Sequence, residues 1–123
     1  MSYLTYKLMH FLGIFALLTA LAATAMHAAR GGTKADNPWR PALGATHGLA
    51  ALLILTGGFG MLARMGAMHG ALPAWVFVKL GIWVALAAAM ALPYRRPSMA
   101  KPLLIVGPLL AVLAGATALY KPF

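Results

Sequence analysis

Two ionisable side chains lie inside long apolar stretches of this sequence, His10 in the first stretch and Lys79 in the third. Ionisable groups are costly within a bilayer, so each one there is a candidate functional group. Each lies about six residues into its stretch, which corresponds to a depth of roughly 9 Å at 1.5 Å per residue. If the two stretches run in the same direction, both side chains approach the same membrane surface.

Further basic residues are predicted at that surface, because Arg64 closes the second stretch and Lys121 follows the fourth. Asp36 is the only acidic side chain of the chain and lies in a polar connection, which excludes acid–base chemistry by paired carboxylates. A cationic cluster without its own acid predicts an external anion: lipid phosphate, the propionates of a porphyrin or the oxygens of a quinone. The alternatives are that Lys79 snorkels to the interface and that His10 bonds a backbone carbonyl there.

Histidine is the usual axial ligand of haem iron in a helical bundle, so His10 is also a candidate metal ligand. The sequence has no histidine at the same level on the other three stretches, and His69 in the second connection is the nearest on that side. His27 ends the first stretch and His47 begins the second. These two histidines either form a second haem site or are interfacial residues that flank a loop.

Glycines are dense in the second stretch, at Gly57, Gly58 and Gly60. Small residues allow helices to pack closely in a membrane, which is one interpretation of this cluster. The other is that they make room for a flat cofactor, with Arg64 neutralising one of its propionates.

The elements that carry these residues are four apolar runs, at 4–28, 43–65, 73–94 and 102–120. Each is close to the ~20 residues that span a hydrocarbon core. The composition agrees, because 63% of the 123 residues are hydrophobic and 9% are charged, against roughly a quarter charged in a soluble domain. Short connections favour antiparallel neighbours. The sequence therefore predicts an all-α integral membrane four-helix bundle, up-down-up-down, as a single domain over 1–123.

The net charge of +9 could suggest nucleic acid as a partner, but the basic residues are scattered at the ends of the apolar runs. That placement indicates membrane anchoring and no nucleic-acid binding. The first and third connections hold six of them, and the opposite side holds three: Arg30, Lys34, Arg40, Arg95, Arg96 and Lys101 against Lys7, Arg64 and Lys121. In a bacterial inner membrane this asymmetry predicts a multi-pass protein with both termini outside the cytoplasm.

Three short segments resemble the HemJ family of protoporphyrinogen oxidases. Residues 7–13 (KLMHFLG) resemble the K-x-x-H-x-x-G pattern of the family's first helix. Residues 73–80 (PAWVFVKL) resemble its third helix, in which a tryptophan precedes a lysine followed by leucine, and residues 120–123 (YKPF) resemble its closing K-P-F. The chain departs from the family at residues 83–90 (WVALAAAM), where a Tyr-His pair is usual.

This resemblance implies a small helical membrane protein that binds haem b. His10 and Lys79 would be its functionally important residues. His10 would be the axial ligand and Lys79 the second ligand or a propionate partner. The implied activity is that of an oxidoreductase, either protoporphyrinogen oxidation or electron transfer. The departures favour a shortened relative that retains a porphyrin or quinone site.

Two alternatives belong to other classes of protein. One is an accessory subunit of a larger membrane complex that has no chemistry of its own. The other is a transporter of a small anion or lipid, which the basic cluster would attract. Glycine-rich faces also permit a homodimer, and membrane lipid is a partner in every case.

Overall fold

The computed structural model describes residues 1–66 and 70–121, and the secondary structure of these residues is helical. The helices are α1 (Tyr3–Ala29), α2 (Arg40–Arg64), α3 (Ala74–Ala89), α4 (Leu92–Arg95) and α5 (Ala100–Tyr120), with a short 3-10 helix over Pro97–Met99. Within these residues, three helical segments are long and apolar enough to cross a membrane, namely Tyr3–Ala29, Arg40–Arg64 and Pro97–Tyr120. Helix α3 is apolar but has only 16 residues. These features are consistent with a membrane protein.

Three helices begin at residues that either bond a free backbone N–H group of the first turn or, as prolines, lack that N–H. The Ser2 hydroxyl accepts a hydrogen bond from the Thr5 amide at 3.2 Å and caps α1. Helix α2 starts three residues before the predicted position, with Pro41 in its first turn, where a missing N–H costs nothing. Helix α5 likewise starts at Ala100 and carries Pro102 in its first turn.

The third apolar run differs from the predicted single helix over 73–94. Helix α3 ends at Ala89, and the separate short helix α4 follows. Pro93 has no N–H with which to bond the carbonyl of Ala89, so the hydrogen-bond ladder of α3 cannot continue through it. At the start of α4, by contrast, the missing N–H does no harm.

Helices α1 and α2 pack closely because the glycines at their interface have no side chains. A Cβ added to Gly57 would lie 2.7 Å from the carbonyl oxygen of Tyr6 and 2.8 Å from the amide nitrogen of His10. A Cβ added to Gly13 would lie 2.8 Å from the carbonyl oxygen of Ala50. Gly13 of α1 thus contacts Ala50 of α2, whereas Tyr6, nearer the start of α1, contacts Gly57, farther along α2. The two helices therefore run antiparallel.

The other helices complete a core that all four longer helices share. Helix α5 packs against α1 and α3, whereas α2 and α3 approach each other less closely than α1 and α2 do. The central apolar cluster joins Leu17 of α1, Ala51 of α2 and Leu86 of α3. The indole Nε1 of Trp83 on α3 donates a hydrogen bond to the carbonyl oxygen of Ala51 at 2.9 Å. This bond ties α3 to α2.

We expect Gly57→Ala to destabilise the protein by about 1–3 kcal/mol, the usual cost of overpacking. The added methyl group would meet the backbone of α1, which cannot move aside without separating the helices. Gly48→Ala is the matched control on the same helix, because a Cβ there meets nothing within 4 Å. Thermal unfolding in detergent measures both variants, and equal melting temperatures would contradict the close contact at Gly57.

We expect Trp83→Phe to lower the free energy of unfolding by about 1 kcal/mol, since it removes one hydrogen bond but keeps an aromatic ring. Trp39→Phe is the control, because the Trp39 side chain is 70% exposed. The same unfolding measurement compares the two. A larger loss at Trp39 than at Trp83 would contradict this assignment.

Candidate functional site

A cavity of about 380 Å³ lies between α1, α2, α3 and α5. Most of its lining is apolar, and its aromatic members are Tyr3, Phe11, Phe59, Trp75 and Trp83. Ligand sites typically enclose ≈ 300–1,000 Å³ and combine an apolar wall with a few placed polar groups. The size and composition of this cavity are those of a site for a small, largely apolar ligand.

His10 is buried in the wall of this cavity, with 8% of its surface exposed. Its Nδ1 lies 2.8 Å from the carbonyl oxygen of Ile54 on α2. Because a carbonyl oxygen can only accept, Nδ1 is the donor, and the neutral ring keeps its lone pair on Nε2. A histidine that ligates a metal is oriented in this way, with its other N–H bonded to a carbonyl or carboxylate.

Lysine side chains supply the charge of the cavity. Lys79 of α3 lies in the lining together with Lys7 and Lys121. Lys79 is close enough to Lys121 for the two ammonium charges to repel each other. The ammonium of Lys121 lies 5.3 Å from the centroid of the Trp75 ring, within the range of a cation–π interaction.

The lining contains no acidic side chain among the described residues. The structure therefore brings His10, Lys79 and Lys121 together in one cavity, and no acidic side chain of the described residues lies in its lining. Arg64, the fourth member of the predicted cluster, is exposed at the end of α2 and does not line the cavity.

The three glycines of α2 have different surroundings. Gly57 and Gly60 face α1, where a Cβ would meet the backbone at His10 and the ring of Tyr6 respectively. Only Gly58 lines the cavity, and a Cβ there would lie 3.5 Å from Cε1 of His10. Close helix packing thus accounts for two of the glycines, and Gly58 alone leaves space beside the imidazole.

His27 belongs to a hydrogen-bonded network at the opposite end of α1. Its Nδ1 lies 2.7 Å from the hydroxyl of Tyr94, and its Nε2 lies 2.8 Å from Oδ1 of Asp36. The amide Nδ2 of Asn37 donates to the Tyr94 hydroxyl at 2.9 Å. Both ring nitrogens of His27 are engaged in this arrangement, so neither has a lone pair free for iron.

His47 lies inside the bundle, with 4% of its surface exposed, beside the backbone of Leu86 on α3. Its Nε2 is buried and has no hydrogen-bond partner in the part of the chain that the structure describes. His47 does not line the cavity, and the structure shows no bond between it and His27.

Sequence reasoning missed the network around Tyr94. Asn37 and Tyr94 are separated by 57 residues, and a pattern in the sequence gives no signal for such a pairing. In the sequence, Asp36 is a lone carboxylate in a polar connection, and its position a short distance after His27 is the one available hint.

Metal binding by protein side chains alone has no support in residues 1–66 and 70–121, where no three histidine, aspartate or glutamate side chains cluster. A metal at His10 would therefore need a cofactor to supply most of its ligands. His69, the nearest other histidine predicted on that side, and the closing Pro122 and Phe123 lie outside the described residues.

Compared with known proteins, the chain matches no family model, no curated protein and no solved structure. The resemblance to the HemJ enzymes therefore rests on the three short motifs alone. What the cavity binds is inferred from its own geometry and charge.

Proposed function

We propose that the chain is a multi-pass membrane protein that binds haem b, or a closely related porphyrin, in the cavity at His10. One observation carries this proposal: His10 is buried in the cavity wall with its Nδ1 bonded to the Ile54 carbonyl at 2.8 Å. That bond fixes the ring and leaves Nε2 as the nitrogen that can ligate iron.

The other lining residues fit this class of ligand. A porphyrin presents an apolar, aromatic ring system together with two carboxylates. The apolar and aromatic lining, with Phe11, Phe59 and Trp83 among its members, suits the ring system. Gly58 lines the cavity without a side chain and so leaves space beside the His10 imidazole.

Charge gives independent support. Lys79 and Lys121 lie close together in a largely apolar cavity whose described lining has no acid to neutralise them. Such an arrangement is costly unless an anion is present. A ligand with two carboxylates would relieve the repulsion, with Lys79 as the first partner and Lys121 as the second.

Bound haem would supply one-electron chemistry, and the chain's own residues would hold and orient it. The resemblance to the HemJ family extends the proposal to an oxidoreductase that acts on a porphyrinogen or transfers electrons. His10 would be the iron ligand, and Lys79 would position a carboxylate.

The four longer helices would form an up-down-up-down bundle across the membrane. Helices α1 and α2 are antiparallel, and α3 packs between α2 and α5. The excess of basic residues in the first and third connections would face the cytoplasm of a bacterial cell. Both termini, and the cavity end of the bundle, would then face the opposite side.

We expect detergent-purified protein from haem-replete cells to show a Soret band that His10→Ala and His10→Gln both abolish. The glutamine variant is the sharper test, because its amide can still donate to the Ile54 carbonyl but cannot ligate iron. Leu8→Ala is the control, at a position of the same helix that is 69% exposed and outside the cavity. A colourless wild-type preparation, or a band that persists in both His10 variants, would contradict the proposal.

We expect Gly58→Leu to weaken haem binding by about tenfold or more, because its side chain would fill the space beside His10. Gly58→Ala should fold normally, since its Cβ makes ordinary contacts of 3.5 and 3.6 Å with the imidazole. Gly44→Leu is the matched control, because that position of α2 has no neighbour within 4 Å and lies outside the cavity. Haem titration followed by absorbance compares the three variants, and equal affinities would place the ligand elsewhere.

A further inference from the structure

A second cavity, of about 330 Å³, lies at the other end of α1. The segment after α1 and the segment around α4 form it together, and its lining includes Gly31, Gly32, Thr33, Lys34, Tyr94 and Arg95. It shares no residue with the cavity at His10. From His10 to His27 along α1 the distance is about 25 Å, at 1.5 Å per residue.

The hydrogen-bonded network of His27 shapes one side of this cavity. Tyr94, which lines the cavity, is held through its hydroxyl by His27 and by Asn37. Gly32 lies against the imidazole of His27, where a Cβ would overlap the ring. Gly31 has a φ of +87°, a conformation that favours glycine. The segment therefore turns back over α1 and places Thr33 and Lys34 beside Tyr94.

The same network keeps the only carboxylate away from the cations of the cavity. Oδ1 of Asp36 lies 2.8 Å from Nε2 of His27 and accepts a hydrogen bond from the Thr33 amide at 3.0 Å. Asp36 is not part of the lining, and its carboxylate is paired with the imidazole of His27. Lys34 and Arg95 therefore line the cavity without an acidic partner.

We propose that this second cavity binds a phosphate group through Lys34 and Arg95. Arg95 and Lys34 both line this cavity, and a guanidinium with an ammonium matches the charge and the acceptor oxygens of a phosphate. Thr33 lies in the same lining, whereas the Tyr94 hydroxyl is already bonded to His27 and Asn37. Two sources supply this chemistry, the headgroup of an anionic phospholipid and free inorganic phosphate. The inference does not depend on what binds at His10.

The test uses the full chain in a neutral maltoside detergent and two probes. Native mass spectrometry measures binding of phosphatidic acid and phosphatidylglycerol, and calorimetry measures binding of inorganic phosphate. The variant is Lys34→Gln with Arg95→Gln. Its matched control is Arg40→Gln with Lys101→Gln, which removes the same charge from the first turns of α2 and α5, at the far ends of the same two connections and outside the cavity.

We expect saturable one-to-one binding of at least one probe, weakened about tenfold or more in the Lys34 and Arg95 variant, since hydrogen bonds to charged groups are worth about tenfold each. The control should stay within about twofold of the wild type. Binding of both probes supports recognition of the phosphate itself, and binding of lipid alone supports a headgroup site. Absence of saturable binding to either probe, or an equal loss in the control, would overturn the proposal.

A folding check accompanies the comparison. Circular dichroism and thermal unfolding should be the same for the variant and the control. If the double variant does not fold, Lys34→Gln alone replaces it, because Lys34 is exposed in the connection after α1. Unchanged binding in that folded single variant would count against the site.

Discussion

The direct contact of two helix backbones at Gly57 is the constraint on which the candidate haem site depends. Helix α1 can approach α2 this closely only because Gly13 and Gly57 carry no side chain. That approach brings the His10 ring within hydrogen-bond distance of the Ile54 carbonyl. The orientation of the imidazole, and hence which nitrogen remains available to a ligand, follows from helix packing. A glycine interface of this kind is both structural and, through His10, a determinant of the site.

Charge is distributed so that each end of the molecule presents cations to a different cavity. The single acidic side chain, Asp36, is engaged by His27 at one end, so no acidic side chain is left for the other end. At the His10 end, Lys79 and Lys121 face a largely apolar space; at the His27 end, Lys34 and Arg95 face a smaller one beside Tyr94. An external anion is the simplest partner in both places. We propose a porphyrin at the first, because the apolar lining suits its ring system, and a phosphate at the second.

The sequence predicts the helices well where apolar length alone decides them, as for α1, α2 and α5. It misplaces the end of α3, because the apolar run continues to Tyr94 although Pro93 interrupts the backbone hydrogen bonds. Depth along a helix likewise predicts that His10 and Lys79 share a level, and both line one cavity. The direction in which a glycine faces, and a bond between residues as distant as Asn37 and Tyr94, depend on how helices rotate and pack. The spacing of residues along the sequence does not indicate this rotation and packing.

The shortness of α3 has a consequence for the surrounding lipid. Its 16 residues extend about 24 Å, less than the roughly 30 Å of a typical hydrocarbon core. In a bilayer, such hydrophobic mismatch is met by local thinning or by headgroups drawn inward beside the short helix. Acyl chains next to α3 would be compressed more than those next to α1, and the protein would be better matched to bilayers of shorter chains. Lipid thickness, as much as headgroup charge, would then govern where this protein is most stable.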